Sequence, residues 1–125
     1  MTENELATII VDSAFKVHTT LGPGLLETVY QAALAYELNK RGLQVVRERG
    51  IPAIYEEVRL ELGFRADIIV ESKVIIEVKS IESLAPVHGK ILLTYLRLTD
   101  LRLGLLINFN VALIKDGIRR VVNDL

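Results

Sequence analysis

The sequence predicts a single α/β domain covering residues 1–125, and three observations predict it. Apolar residues recur at helical spacing in two segments before residue 42. The period then falls to two between Leu43 and Lys79, and a third helical pattern separates that meander from closing strands. A chain of this length can bury a core without disulfides or structural metals.

Thr2 followed three residues later by Glu5 has the form of a capping box, and Leu6, Ile9, Ile10, Ala14, Val17 and Leu21 follow at helical intervals. A first helix is therefore predicted from Glu3 to Thr20, broken by Gly22-Pro23-Gly24. A second carries Leu26, Val29, Tyr30, Ala33, Leu34 and Leu38 on its apolar side and stops at Gly42. Alternation then predicts strands near Gln44–Glu48 and from Ala53 to Glu57 or beyond, followed by a hairpin in which Arg65–Val70 and Lys73–Lys79 flank the turn Glu71-Ser72. Pro86–Leu98 returns to helical spacing, and Leu103–Phe109 is apolar enough for a buried strand. Val111–Lys115 is expected to pair with Ile118–Val122 through the hairpin turn Asp116-Gly117. No repeat, low-complexity stretch or linker interrupts this order.

Composition narrows the class of protein. Cysteine is absent, which removes disulfides and thiolate metal sites and suits a reducing cytoplasm. The longest mostly apolar stretch, Leu101–Ile114, contains Arg102, Asn108 and Asn110 and falls short of the ~20 residues of a membrane-spanning helix. Thr2-Glu3-Asn4-Glu5 lacks the positive start of a signal peptide, so a cytoplasmic protein without a membrane partner is expected. Half of the residues are hydrophobic and the mean hydropathy is +0.35, high enough to suggest extra buried surface in a homodimer. The net charge of −1 gives no broad attraction to nucleic acid. Residues 1–85 sum to −4 and residues 86–125 to +3, which leaves room for a modest positive face near the C-terminus.

Three charges stand where folding alone does not ask for them. Asp67, Glu77 and Lys79 lie inside the two apolar runs of the predicted hairpin. Alternation places Glu77 and Lys79 on one face and Arg65, Asp67 and Ile69 on one face of the partner strand, so folding at Glu71-Ser72 brings Asp67 towards Glu77 and Lys79. Crowded carboxylates repel and are costly to desolvate unless they protonate or share a cation. A divalent metal is the natural resolution. The bland readings are a solvated cross-strand charge pair for Glu77 and Lys79, a helix first-turn acid for Glu27, a core aromatic for Tyr30 and a carboxylate-paired Arg65.

Gly24-Leu25-Leu26-Glu27-Thr28-Val29-Tyr30, together with Asp67 and Glu77-Val78-Lys79, resembles the GxxExxY family of the PD-(D/E)XK nuclease superfamily. The likeness runs from Val17-His18 through Leu105-Leu106-Ile107-Asn108-Phe109 to Asp116-Gly117-Ile118. It implies a restriction-endonuclease-like fold, a central mixed sheet flanked by helices, and a metal-dependent nuclease hydrolysing phosphodiester bonds, with DNA as the expected substrate. On that resemblance Asp67, Glu77 and the Val78 carbonyl hold Mg²⁺ or Mn²⁺, and Glu27 is a further ligand. Lys79 orients or deprotonates the attacking water, or stabilises the phosphorane. Tyr30, Arg65, His88 and Tyr95 are substrate-binding candidates. The segment His88 to Leu96 departs from the family's HxxQxxxYL pattern, because Ile91 stands where a glutamine is expected. An apolar side chain there makes no hydrogen bond, which supports an alternative: a catalytically impaired nucleic-acid or protein interaction module on the same fold. His18 is expected to pack or cap.

Overall fold

The computed structural model describes residues 1–125. Two helices, α1 (Glu3–Leu21) and α2 (Glu27–Lys40), precede strands β1 (Val45–Tyr55), β2 (Val58–Val70) and β3 (Val74–Lys79). Helix α3 (Pro86–Thr99) then leads to β4 (Leu103–Asn108) and β5 (Ile118–Val122). The strands form one sheet in chain order, with β3 and β4 parallel and every other neighbouring pair antiparallel. This is the mixed sheet flanked by helices that the sequence predicts.

The capping box is present. The Glu5 amide donates to Thr2 Oγ1 at 3.1 Å and the Thr2 amide to Glu5 Oε1 at 2.9 Å, which satisfies two of the donors a helix start leaves free. Gly22 ends α1 at a φ of +72°, its amide bonded to the His18 carbonyl. His18 is buried and its Nε2 bonds the Val111 carbonyl at 2.8 Å, a packing role with no chemistry attached.

Both faces of the sheet are covered. Helices α1 and α2 lie over Ile68, Val70, Val74, Ile76, Val78, Leu103, Leu105, Ile107 and Phe109, the larger apolar cluster. Helix α3 sends Leu92 and Leu96 onto Phe64, Ala66, Ile69, Ile75 and Leu106 on the opposite face. Gly104 makes that approach close: a Cβ there would meet Leu92 at 2.8 Å. Strands β3 and β4, buried on both sides, are accordingly near-continuous apolar runs. None of the helices is long and apolar enough to cross a membrane.

The structure corrects several sequence expectations. The two short strands predicted before the hairpin are one strand, β1, with a register shift between Ile51 and Ala53 around Pro52. Leu26, which caps α2, and Val29 are exposed, while the buried side of α2 keeps the expected Tyr30, Leu34 and Leu38 and adds Gln31, Ala35 and Glu37. Glu37 is tolerated there because Lys16 and Arg41 pair with it. Val111–Lys115 is not a strand. The His18 bond draws Val111 towards α1, Ile114 enters the core, and Ile114–Gly117 form a single 3-10 turn. β5 therefore pairs with β4 alone on that side. Gly117 is required there, since any Cβ would meet the Asn108 carbonyl oxygen at 2.1 Å.

Candidate active site

Strand β3 sends Val74, Ile76 and Val78 into the larger cluster and turns Glu77 and Lys79 to the α3 side. Glu77 is only 8% exposed and Lys79 is half-buried. The ladder between β2 and β3 runs from Val70 and Val74 to Ile68 and Ile76, then stops one pair short of Asp67 and Glu77. Where the backbones part, the Asp67 side chain takes over: its Oδ2 accepts the Val78 amide at 2.8 Å.

Asp67 reaches this position because β2 changes phase. Ala66 and Ile69, three residues apart, both pack on the α3 side, and the neighbouring strand carries a matching irregularity at Glu48, whose φ is +50°. This also corrects the expectation for Arg65. Phe64 and Ala66 occupy the α3 side, so Arg65 between them points to the other face, is exposed, and forms none of the ion pairs of the protein.

The electrostatics of the pair are unusual. Glu77 Oε1 is buried and meets no hydrogen-bond donor. Burial first, and the Asp67 carboxylate second, push the Glu77 carboxyl up to about 9, against the pull of Lys79. Without a cation Glu77 keeps its proton at neutral pH. The donor set suits a small divalent ion: two adjacent carboxylates, one of them with an unpaired oxygen, and an ion that retains several waters of its own.

A family model of the PD-(D/E)XK nuclease superfamily matches residues 4–121. The chain belongs to that superfamily. No curated protein and no solved structure shows significant similarity to it.

Not every candidate residue of this PD-(D/E)XK domain joins the pair. Glu27 opens α2, where an acid favours the helix dipole, but its Oε2 accepts the Ser80 amide at 3.2 Å, and no cluster of three His, Cys, Asp or Glu forms a metal-holding group. Through Oε2 its carboxylate is tied to the chain just beyond Lys79. Tyr30 is fully buried, stacks on Phe109 with centroids 4.6 Å apart, and its hydroxyl donates to the Gly22 carbonyl while accepting the Leu25 amide. A side chain so enclosed packs the core and holds the loop before α2.

Tyr95 stacks on Phe64 with centroids 3.7 Å apart and feels the site. Burial, then the charges of Glu77 and Asp67, raise its phenol above the ordinary value, so the hydroxyl stays protonated. His88 Nδ1 accepts the Ala85 amide at 2.9 Å and so caps the start of α3. Ile91 is 41% exposed, one helical turn before Tyr95.

Sequence reasoning missed Ser80 and Asn108. Asn108 is 1% exposed at the end of β4, paired in register with Lys79. The signal was available: a carboxamide closing an apolar strand must find partners, because burying it unpaired is costly.

Proposed function

We propose that this protein is a metal-dependent nuclease that hydrolyses phosphodiester bonds, with DNA as substrate, and that its reaction centre is Asp67, Glu77 and Lys79. One observation carries the reading: a buried Glu77 oxygen without a donor, set beside a second carboxylate and an amine on the same strand. Such a pair is unfavourable for folding and becomes useful when it holds a cation. Asp67 and Glu77 would hold Mg²⁺ or Mn²⁺, with the Val78 carbonyl and waters completing the shell. The ion would supply an acidified water and charge neutralisation at phosphorus. Lys79, a compact cation on a flexible stem, would orient the attacking water and offset charge on the phosphate oxygens. His88 and Tyr95 on α3 would then flank the substrate. In this reading Gly24–Tyr30 is the signature of the GxxExxY family, and the cytoplasm is where the protein acts.

Supercoiled plasmid tests this. Nicking with Mg²⁺ or Mn²⁺ that chelator abolishes is the expected result; intact plasmid with either metal would reject a DNA nuclease. One observation favours the second reading, an impaired interaction module: Ile91 presents a half-exposed apolar side chain where a hydrogen-bonding one is expected. Ile91→Gln is expected to raise the nicking rate several-fold. If it does not, Ile91 is not what limits the site. DNA binding that weakens steeply with salt, without cleavage, would put the module reading ahead.

The homodimer reading finds support in the β1–β2 arm. Ile54, Tyr55, Val58, Leu60 and Leu62 are all at least half exposed. The arm is net acidic at its tip, where Glu56 and Glu57 stand beside the Arg59–Glu61 ion pair, and net basic at its root, where Arg47, Arg49 and Arg65 outnumber Glu48, so two arms crossing tip to root would pair opposite charges and cover their apolar surface. Sedimentation is expected to give twice the 14.0 kDa chain mass for the wild type and 14.0 kDa for the Val58→Glu, Leu60→Glu double variant. A wild type that sediments as a monomer at micromolar concentration would end this reading.

A further inference from the structure

The backbone immediately after Lys79 is bound from three directions. The Lys79 carbonyl accepts the Phe109 amide at 2.9 Å, the last ladder bond between β3 and β4. Beyond that point the Asn108 side chain replaces the backbone of β4: its Oδ1 accepts the Ile81 amide at 3.1 Å and its Nδ2 donates to the Ile81 carbonyl at 3.0 Å. The same Oδ1 accepts the Asn110 amide at 3.2 Å, and Asn110 Nδ2 donates to the Ile81 carbonyl at 3.3 Å. Between these anchors Ser80 is tied to α2. Its amide donates to Glu27 Oε2 at 3.2 Å, and its hydroxyl donates to the Leu25 carbonyl at 2.6 Å. The Leu25 amide in turn donates to the Tyr30 hydroxyl at 3.1 Å.

A reaction centre on the last residues of an edge-frayed strand would wander. Here β2 has already parted from β3 at Ile76, so Glu77, Val78 and Lys79 keep a sheet partner on the β4 side only, apart from the Asp67 bond to Val78. We propose that Asn108, Ser80 and Glu27 form a clamp that positions Lys79 and Glu77, with Glu27 serving as the hydrogen-bond acceptor for the Ser80 amide. The segment Gly24–Tyr30 then has a mechanical meaning: Tyr30 holds the loop, Glu27 holds Ser80, and both fix the carboxyl end of β3. What Lys79 does once held rests on the nuclease reading; the clamp itself does not.

Charge and hydrogen bonding separate the two roles of Glu27, because glutamine keeps a carbonyl acceptor for the Ser80 amide and loses the charge a ligand needs. With plasmid as substrate, Glu27→Ala is expected to lower kcat about 10-fold and Asn108→Ala about 100-fold at unchanged KM, as misplacement of a reacting group does. Glu27→Gln is expected to recover most of what Glu27→Ala loses. A glutamine variant as defective as the alanine variant, with a raised Mn²⁺ requirement, would overturn the clamp in favour of a ligand. Asn108→Ala risks the fold itself, so amide hydrogen exchange at Ser80 and Ile81 is measured on the Glu27 variants in chelator. Protection lost in Glu27→Ala and kept in Glu27→Gln supports the clamp even if no cleavage is found, which would count against the nuclease reading alone. Protection unchanged in both variants overturns the clamp.

Discussion

Asp67→Asn is expected to abolish metal-dependent nicking, with a loss on the order of 10³-fold or more, while leaving the fold intact; Lys79→Ala is expected to match it. The asparagine variant is the sharper of the two. Its side-chain oxygen can still accept the Val78 amide that Asp67 holds at 2.8 Å, so the junction where β2 and β3 part stays closed. What disappears is one negative charge. If the role of Asp67 were only to satisfy Val78, the variant would behave as the wild type. Lys79→Ala removes an amine from a half-buried position that makes no ion pair, so its thermal stability should barely move. Single-turnover nicking on both variants, with melting curves alongside, checks this. Activity within a few-fold of wild type in either variant would remove that residue from the chemistry.

Glu77→Gln is expected to make the metal-free protein more stable at neutral and alkaline pH while abolishing cleavage. The Glu77 carboxyl stands at about 9 in the folded protein, against an ordinary 4.5, because burial and Asp67 disfavour its charged form. As pH rises above 4.5 the unfolded chain releases this proton while the folded chain keeps it, so the folded state loses ground across the window from 4.5 to 9 and nothing further above it. At pH 7 the deficit is on the order of 3 kcal/mol, and it nearly vanishes at pH 4, where both states are mostly protonated. Glutamine removes the titration. The difference in unfolding free energy between variant and wild type in chelator should therefore be near zero at pH 4 and grow with pH. Mn²⁺ should reverse the order for the wild type, since an ion that binds only the native state stabilises it and must displace the Glu77 proton to do so. Denaturant unfolding at pH 4, 6 and 8 measures all of this. A variant that is less stable than wild type at pH 8 without metal would mean that Glu77 is satisfied by partners in the protein.

Much of the fold is legible because local rules agree with tertiary needs. Thr2 and Glu5 cap α1 as their spacing suggests, Gly22 and Gly42 end the first two helices at positive φ, and strand β3 stands out as an apolar run interrupted by Glu77 and Lys79. The convergence of Asp67 on Glu77 is legible for a different reason. Charges inside apolar strands are costly, and a short turn leaves them few places to go. The route is not legible. Asp67 arrives through a change of phase in β2 that reversed Arg65, and phase within a strand depends on what packs on each face, not on the strand's own residues.

Other features depend on partners distant in sequence. Val111 looks like a strand residue by propensity and is claimed instead by His18, 93 residues earlier. Tyr30 and Glu27 fit a motif, and the motif suggests substrate and metal. Their environments, a stack on Phe109 and a bond to Ser80, are set by α2 packing across the end of the sheet. Asn108 closes an apolar strand, and its importance appears only when its carboxamide is seen to continue the ladder past Lys79.

The central claim is that Asp67 and Glu77 share one divalent ion. Crystals soaked in Mn²⁺ at pH 8 and measured at a wavelength where manganese scatters anomalously test it most directly. The account predicts one strong anomalous peak bonded to a carboxylate oxygen of each residue, Glu77 Oε1 among them, at about the 2.0–2.6 Å typical of oxygen ligands to such ions. Saturating Mn²⁺ with no peak between the two carboxylates, or a peak held elsewhere in the fold, would contradict it.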